Sequence, residues 1–161
     1  MTTQKFLNDL YEYKNGELYY KKVLFGSTKK VGDKVGYIAK SGYMSTKIYQ
    51  KSYLIHRLIY MMHNGNLPKY IDHLDGNPLN NRIENLREAT NSQNCMNGKL
   101  RKTNKSGHKN VYWEKHANKW RVMFSTNGKK HCYGLFEDLT EASKIAEKAR
   151  KQLYGQYARN F

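Results

Sequence analysis

The chain has 161 residues, room for one ordinary domain or two small modules, which excludes a large multidomain assembly within this stretch. Its 29 Lys and Arg against 13 Asp and Glu leave a formal charge of +16, which predicts attraction to polyanions. With 39% apolar and 13% aromatic residues, it can fold around a small core rather than stay disordered.

The opening M-T-T-Q-K-F-L-N-D-L lacks the apolar run of a secretory signal, so a soluble cytoplasmic protein with no membrane partner is expected. In L-Y-E-Y-K-N-G-E-L-Y-Y, Asn15-Gly16 between two Tyr-rich runs predicts a hairpin. A second strand pair is expected over residues 43–48 and 52–54, so residues 1–51 read as a β-rich region. Ile55, Leu58, Ile59 and Met62 recur at i, i+3, i+4 and i+7, which predicts a helix over 55–63 closed by Gly65. Residues 70–74 (Y-I-D-H-L) and 86–89 read as short strands, separated by a polar loop holding Gly76 and Pro78. Thr90 and Gln93 then form a T-x-x-Q capping box, which starts a helix at Ser92 and carries Asn94 into its first turn.

Composition shifts near residue 98. Residues 98–106 (G-K-L-R-K-T-N-K-S) are polar and basic, as suits a linker. Residues 1–97 hold 14 basic and 8 acidic groups and residues 98–161 hold 15 and 5, so the smaller piece carries most of the charge. Within it, 109–115, 119–125 and 129–135 are strand-like, with Asn127-Gly128 as a turn signal between the last two. Asp138 and Glu141 make a D-x-x-E box before Ala142, Ile145, Ala146, Ala149 and Leu153, which repeat with helical period. A three-stranded antiparallel sheet with one helix on one face is expected. Trp120, Val122 and Phe124 should face that helix, and Lys119, Arg121, Met123 and Ser125 should face away. Trp113 and Trp120 are both expected in the core. Cys95 and Cys132 lie far apart with no C-x-x-C, so reduced thiols are expected rather than a disulfide framework or a zinc knuckle.

One constellation suits chemistry. Asp72 and His73 are adjacent and are followed by Asn77, Asn80, Asn81, Asn85, Asn91 and Asn94. Carboxylate and amide oxygens are hard ligands for Mg²⁺ or a similar ion. A His of unperturbed pKa near ~6.5 accepts a proton from water at neutral pH. Neighbouring strand residues point to opposite faces, so the pair serves one phosphate only if the strand twists or bulges there. The plainer readings are a structural Asp–His pair and Asn residues that merely tolerate turns. His56 and His63 read as partly buried structural residues, Asp75 as a cap on its own loop, and Arg57 as a solvated helix charge within reach of a phosphate.

The segment H-R-L-I-Y-M-M-H-N-G-N-L-P-K-Y-I-D-H-L-D-G-N-P-L-N-N-R-I-E-N-L-R-E-A-T-N-S-Q-N resembles the HNH endonucleases of phage and intron-homing type, which carry a ββα-metal finger. The resemblance spans residues 52–97. It implies that Asp72 is the first metal ligand, His73 the general base, Asn85 the residue that orients the base and Asn94 the second metal ligand. The archetypal family has His at the first and last metal positions. Asp72 and Asn94 in their place shift the expected cofactor to Mg²⁺ or Mn²⁺.

Further on, N-K-S-G-H-K-N-V-Y-W-E-K-H-A-N-K-W-R-V-M-F-S and Y-G-L-F-E-D-L-T-E-A-S-K resemble the APETALA-type (ethylene-response-factor) DNA-binding domain, which lays its sheet in the major groove. That resemblance implies contacts from Tyr112, Glu114, Lys119, Arg121 and Lys130, with Lys115 and Lys129 beside them. Plant members have Arg where this chain has Tyr112 and Glu114, so their target sequence does not transfer. Between Lys99 and Lys130 there are ten Lys or Arg and one acid, Glu114, a balance suited to phosphate contacts that weaken with salt.

The expected fold class is therefore α+β: a ββα-metal module at 52–97, a basic linker at 98–106, and a three-stranded antiparallel sheet packed on one helix at 107–161. The expected function is a metal-dependent, site-preferring endonuclease acting on double-stranded DNA with no small-molecule cofactor. One such site implies a monomer that nicks one strand, with a dimer or sequential nicks needed to cut both. The alternatives are a non-catalytic DNA-binding regulator and a protein that binds or cleaves RNA.

Overall fold

The computed structural model describes residues 3–98, 100, 103–126 and 128–158. The chain divides into two compact units, Met1–Ala89 and Thr90–Phe161. The described residues form four α-helices and four small antiparallel sheets. The division falls ahead of the basic stretch 98–106, and Lys99, Arg101 and Lys102 of that stretch lie outside the described residues.

In the first unit, α1 (Gln4–Leu10) begins where the Thr3 hydroxyl accepts the Phe6 N–H at 3.2 Å, and it buries Leu7 and Leu10. Sequence periodicity does not reveal it, because seven residues with two buried positions make less than one full repeat of an apolar face. β1 (Tyr11–Lys14) and β2 (Glu17–Tyr20) form the expected hairpin, and its turn residues Asn15 (φ 50°) and Gly16 (φ 90°) are both left-handed, as a two-residue turn of this hand requires.

β3 (Tyr37–Ile38), β4 (Met44–Ile48) and β5 (Lys51–Leu54) make a second sheet in that order, and β3 is the strand not anticipated. α2 (Ile55–Asn64) stops at left-handed Gly65, whose N–H donates to Met61 O at 3.0 Å. β6 (Tyr70–His73) pairs with β7 (Leu86–Ala89), and a 3-10 turn at Ile83–Asn85 precedes β7. Leu7, Leu18, Val35, Ile48, Ile55 and Ile59 join every part of this unit into one core. Each such aliphatic side chain contributes about 1.5–3 kcal/mol on burial.

The second unit opens with α3 (Asn91–Asn97). Thr90 Oγ1 accepts from Gln93 N at 3.2 Å and Gln93 Oε1 accepts from Thr90 N at 2.7 Å, the reciprocal box read from the sequence. β8 (Val111–Glu114), β9 (Lys119–Thr126) and β10 (Lys129–Phe136) form an antiparallel sheet in the order β10-β9-β8. The predicted turn residue Asn127 lies outside the described residues. α4 (Leu139–Tyr154) starts where Asp138 accepts the Glu141 N–H at 2.7 Å. Its small residues Ala142, Ala146 and Ala149 let it close on Val111, Val122 and Phe124.

Trp113 is not a core residue. It is 44% exposed and meets Trp120 edge-on with centroids 4.8 Å apart, outside the cluster that the alanines of α4 cover. Cys95 and Cys132 are free and exposed. Among the described residues, no helix is long and apolar enough to cross a membrane.

Candidate active site

β6 carries Asp72 and His73 into the first unit, each only 5% exposed. The register with β7 is regular, Asp72 opposite Arg87 and His73 opposite Leu86, so no bulge brings the two side chains to one face. His73 is instead the last residue of the strand, and the chain turns away there, with Leu74 N donating to Asn85 O and Gly76 N to His73 O, both at 2.8 Å.

Asp72 is held across the hairpin. Arg87 donates to Asp72 Oδ2 from Nε at 3.0 Å and from a terminal nitrogen at 2.7 Å. The imidazole of His73 meets Asn81, with Nε2 3.1 Å from Asn81 Oδ1. An amide oxygen only accepts, so Nε2 is the donor in this contact, and in a neutral ring the lone pair then sits on Nδ1.

The expected partner of His73, Asn85, is engaged elsewhere. Its Oδ1 accepts from Asp75 N at 3.0 Å, and its Nδ2 donates to Asp75 Oδ1 at 2.9 Å and to Asn80 O at 2.8 Å. Asp75 also accepts from Asn77 N and Asn80 Nδ2, at 2.8 and 2.7 Å, which is the loop-capping role read for it. Partial burial pushes the Asp75 carboxyl up, but these hydrogen bonds outweigh it and hold it below the usual carboxylate value.

His56, from the first turn of α2, is packed against the same imidazole. Its ring centroid lies 5.0 Å from that of His73 and 5.4 Å from Tyr43, it is 5% exposed, and its Nδ1 makes no hydrogen bond. Burial, with the nearby charges of His73 and Arg57 adding to it, pushes His56 down to about 3, so it stays neutral at working pH. Arg57 directs its guanidinium to the carbonyls of Pro68 and Lys69, at 3.0 and 3.2 Å, and so braces the approach to β6. His63 bonds Ile59 O at 2.8 Å within α2, as a structural residue does.

Comparison with known proteins points the same way as this geometry. The family model described as HNH endonuclease matches residues 53–96. Protein 3.8 of Escherichia phage T7 is 39% identical over 117 residues, covering 71% of this chain and 96% of that protein. Residues 53–96 of the chain are thus an HNH endonuclease domain. A second relative is a mimivirus protein (Acanthamoeba polyphaga mimivirus) named as an uncharacterized HNH endonuclease, 34% identical over 125 residues, 76% of this chain and 64% of the relative. No solved structure matches.

Among the described residues, no group of three or more His, Cys, Asp or Glu is placed to hold a metal ion. A Mg²⁺-like ion that keeps several waters asks for one or two carboxylates, and Asp72 is such a donor. Asn94 stands on α3, in the second unit, with its backbone N–H bonded to Thr90 O at 3.0 Å.

The second unit of the chain presents the other candidates on its sheet. Tyr112 opposes Arg121 and Glu114 opposes Lys119 across β8 and β9. Two of the cations are already paired, Arg121 with Glu114 at 2.7 Å and Lys119 with Glu137 at 3.1 Å. Lys115, Lys129 and Lys130 are exposed. An open groove of about 840 Å³ in this unit is lined in part by Lys105, Lys109, Tyr112, Lys115 and Lys130.

Three residues of the site were not singled out from the sequence: Asn81, Arg87 and, as a neighbour of His73, His56. Arg87 had a usable signal, since any antiparallel pairing that sets Tyr70 opposite Ala89 also sets Asp72 opposite Arg87.

Proposed function

We propose that this HNH endonuclease hydrolyses phosphodiester bonds in double-stranded DNA with the help of Mg²⁺ or Mn²⁺, nicking one strand at preferred sites in the manner of homing enzymes. The observation that carries this reading is the imidazole of His73, buried next to Asp72 in β6 and held through Nε2 by Asn81 Oδ1. His73 Nδ1 takes a proton from water as the water oxygen bonds to phosphorus. The bond from phosphorus to the sugar oxygen breaks, and that oxygen takes up a proton. A divalent cation would be held by Asp72 and, by correspondence with the family motif, by Asn94, and would supply positive charge for the phosphate and the departing oxygen. His56 adds no competing charge beside the base.

The sheet of the second unit is proposed to hold the duplex in the manner of the APETALA-type domain. Lys115, Lys129 and Lys130 contact phosphates, and Tyr112, Glu114, Lys119 and Arg121 face the groove. Exposed lysines beside an exposed Tyr support it, since phosphate contacts supply most of the affinity and position the protein for base contacts. Arg57 serves the fold rather than the DNA, because both ends of its guanidinium are engaged by backbone carbonyls.

Supercoiled plasmid incubated with Mg²⁺, with Mg²⁺ plus chelator, and with the His73→Ala protein tests the catalytic reading. Nicked circles are expected in the first lane alone, and Asn94→Ala should reduce them. Plasmid left intact in every lane, with DNA still bound, would establish a regulator instead. Preference for structured RNA over duplex DNA at equal salt would overturn the choice of substrate.

A further inference from the structure

We infer that Asn81 is the positioning residue for the base His73, and that the turn of the β1–β2 hairpin holds Asn81 in place. The inference deepens the nuclease reading, since it rests on His73 being the base.

Asn81 is 3% exposed, and its Oδ1 is within hydrogen-bond distance of His73 Nε2. The two residues either side of it are fixed by different parts of the fold. On the preceding side, Asn80 is clamped twice: its carbonyl accepts from Asn85 Nδ2, and its own amide donates to Asp75 Oδ2. Asn85 therefore acts on the base only at second hand, through the Asp75 loop.

On the following side, the N-terminal hairpin reaches over. Tyr13 Oη accepts from Ile83 N at 3.0 Å. The backbone of Gly16 is seated against the peptide joining Asn81 to Arg82, so closely that a Cβ at Gly16 would lie 2.8 Å from Arg82 N and 3.1 Å from Asn81 C. Gly16 thus answers two demands at once, a left-handed turn and a bare face toward this peptide. Residues about 65 positions apart meet there, and the meeting point is next to the side chain that sets the tautomer of His73.

The test is the tautomer itself. Long-range ¹H–¹⁵N spectra of the imidazoles, recorded above about pH 8 where an unperturbed His is neutral, report which nitrogen of His73 is protonated, without metal, DNA or turnover. Spectra of His73→Gln identify its signals among the six His. In the unmodified protein His73 should be Nε2–H. Asn81→Leu, similar in volume but without an acceptor, should show both tautomers, and Asn81→Asp, which keeps an acceptor oxygen, should restore Nε2–H. Tyr13→Phe should leave Nε2–H dominant but broaden the His73 signals.

In single-turnover cleavage at saturating DNA, Asn81→Leu should slow the reaction roughly 10- to 100-fold, as loss of an orienting partner does, with DNA affinity unchanged. An Nδ1–H tautomer in the unmodified protein, or an unaltered tautomer in Asn81→Leu, overturns the inference. If Asn81→Leu does not fold, the spectra of the unmodified protein and of Asn81→Asp decide it alone. Should the tautomers behave as described while the unmodified protein cuts no DNA, the positioning role stands and the nuclease reading falls.

Discussion

Acid should destabilise the first unit through His56. The ring is neutral in the folded state down to about pH 3, whereas in the unfolded chain it takes its proton near the ordinary His value of 6.5. The unfolded state therefore binds more protons below 6.5, so the stability from His56 is whole at higher pH and is lost as pH falls below 6.5. From about pH 8 to about pH 5 this linkage removes roughly 2 kcal/mol, using ~1.4 kcal/mol per pKa unit. For a cooperative unit of this size that amounts to a fall in Tm of about 10 °C. Asp75 does not mimic the effect, because the contribution of its depressed carboxyl is present above the ordinary Asp value of 3.8 and is lost only as pH falls below that. Urea unfolding of the unmodified protein and of His56→Phe across this pH range isolates the ring from the other five His. The difference in unfolding free energy between the two should change by about 2 kcal/mol between the ends of the range. A difference that stays constant refutes the assignment of a neutral buried His56.

Arg87→Met leaves the Asp72 carboxylate buried without its guanidinium and should cost about 3–5 kcal/mol in urea unfolding. If Asp72 also serves the cation, saturating Mg²⁺ should shrink that deficit, and an equal deficit with and without Mg²⁺ counts against Asp72 as a ligand. Gly16→Ala combines a left-handed backbone with a contact of 2.8 Å to Arg82 N, so it should destabilise by roughly 1–3 kcal/mol, read as a shift in urea midpoint. Replacing Lys115, Lys129 or Lys130 by Ala should each lower the slope of log affinity against log salt by about 0.9, while Lys119→Ala should do less because Glu137 already offsets its charge.

The elements legible in the sequence were those with a strong local signature. Asn15-Gly16 stands between two runs of alternating residues, α2 ends on a glycine with φ 71°, and α3 is announced by a box whose two hydrogen bonds both form. These features fix backbone conformation within four or five residues, and so they are visible without tertiary information. α1 and β3 lack such marks, and each persists because the rest of the unit covers or pairs with it. Trp113 fails for a related reason. Alternation assigns it correctly to the helix side of the sheet, but which positions on that side are covered depends on how far the alanines of α4 extend.

The site divides along the same line. Asp72 and His73 are adjacent in sequence, and their placement follows from one strand. Which Asn meets the imidazole does not follow, because Asn77, Asn80, Asn81 and Asn85 differ little in composition or context, and the path of the loop alone selects among them. That path is set by Asp75, which gathers Asn77, Asn80 and Asn85 and so leaves Asn81 to face His73. Asp75 thus has more than a local effect: a carboxylate that caps its own turn also decides which amide meets the base. Its substitution by Ala should therefore disturb the His73 tautomer in the same spectra as Asn81→Leu, without touching the imidazole. A loss of stability from Asp75→Ala with the tautomer unchanged would show the loop and the base to be independent.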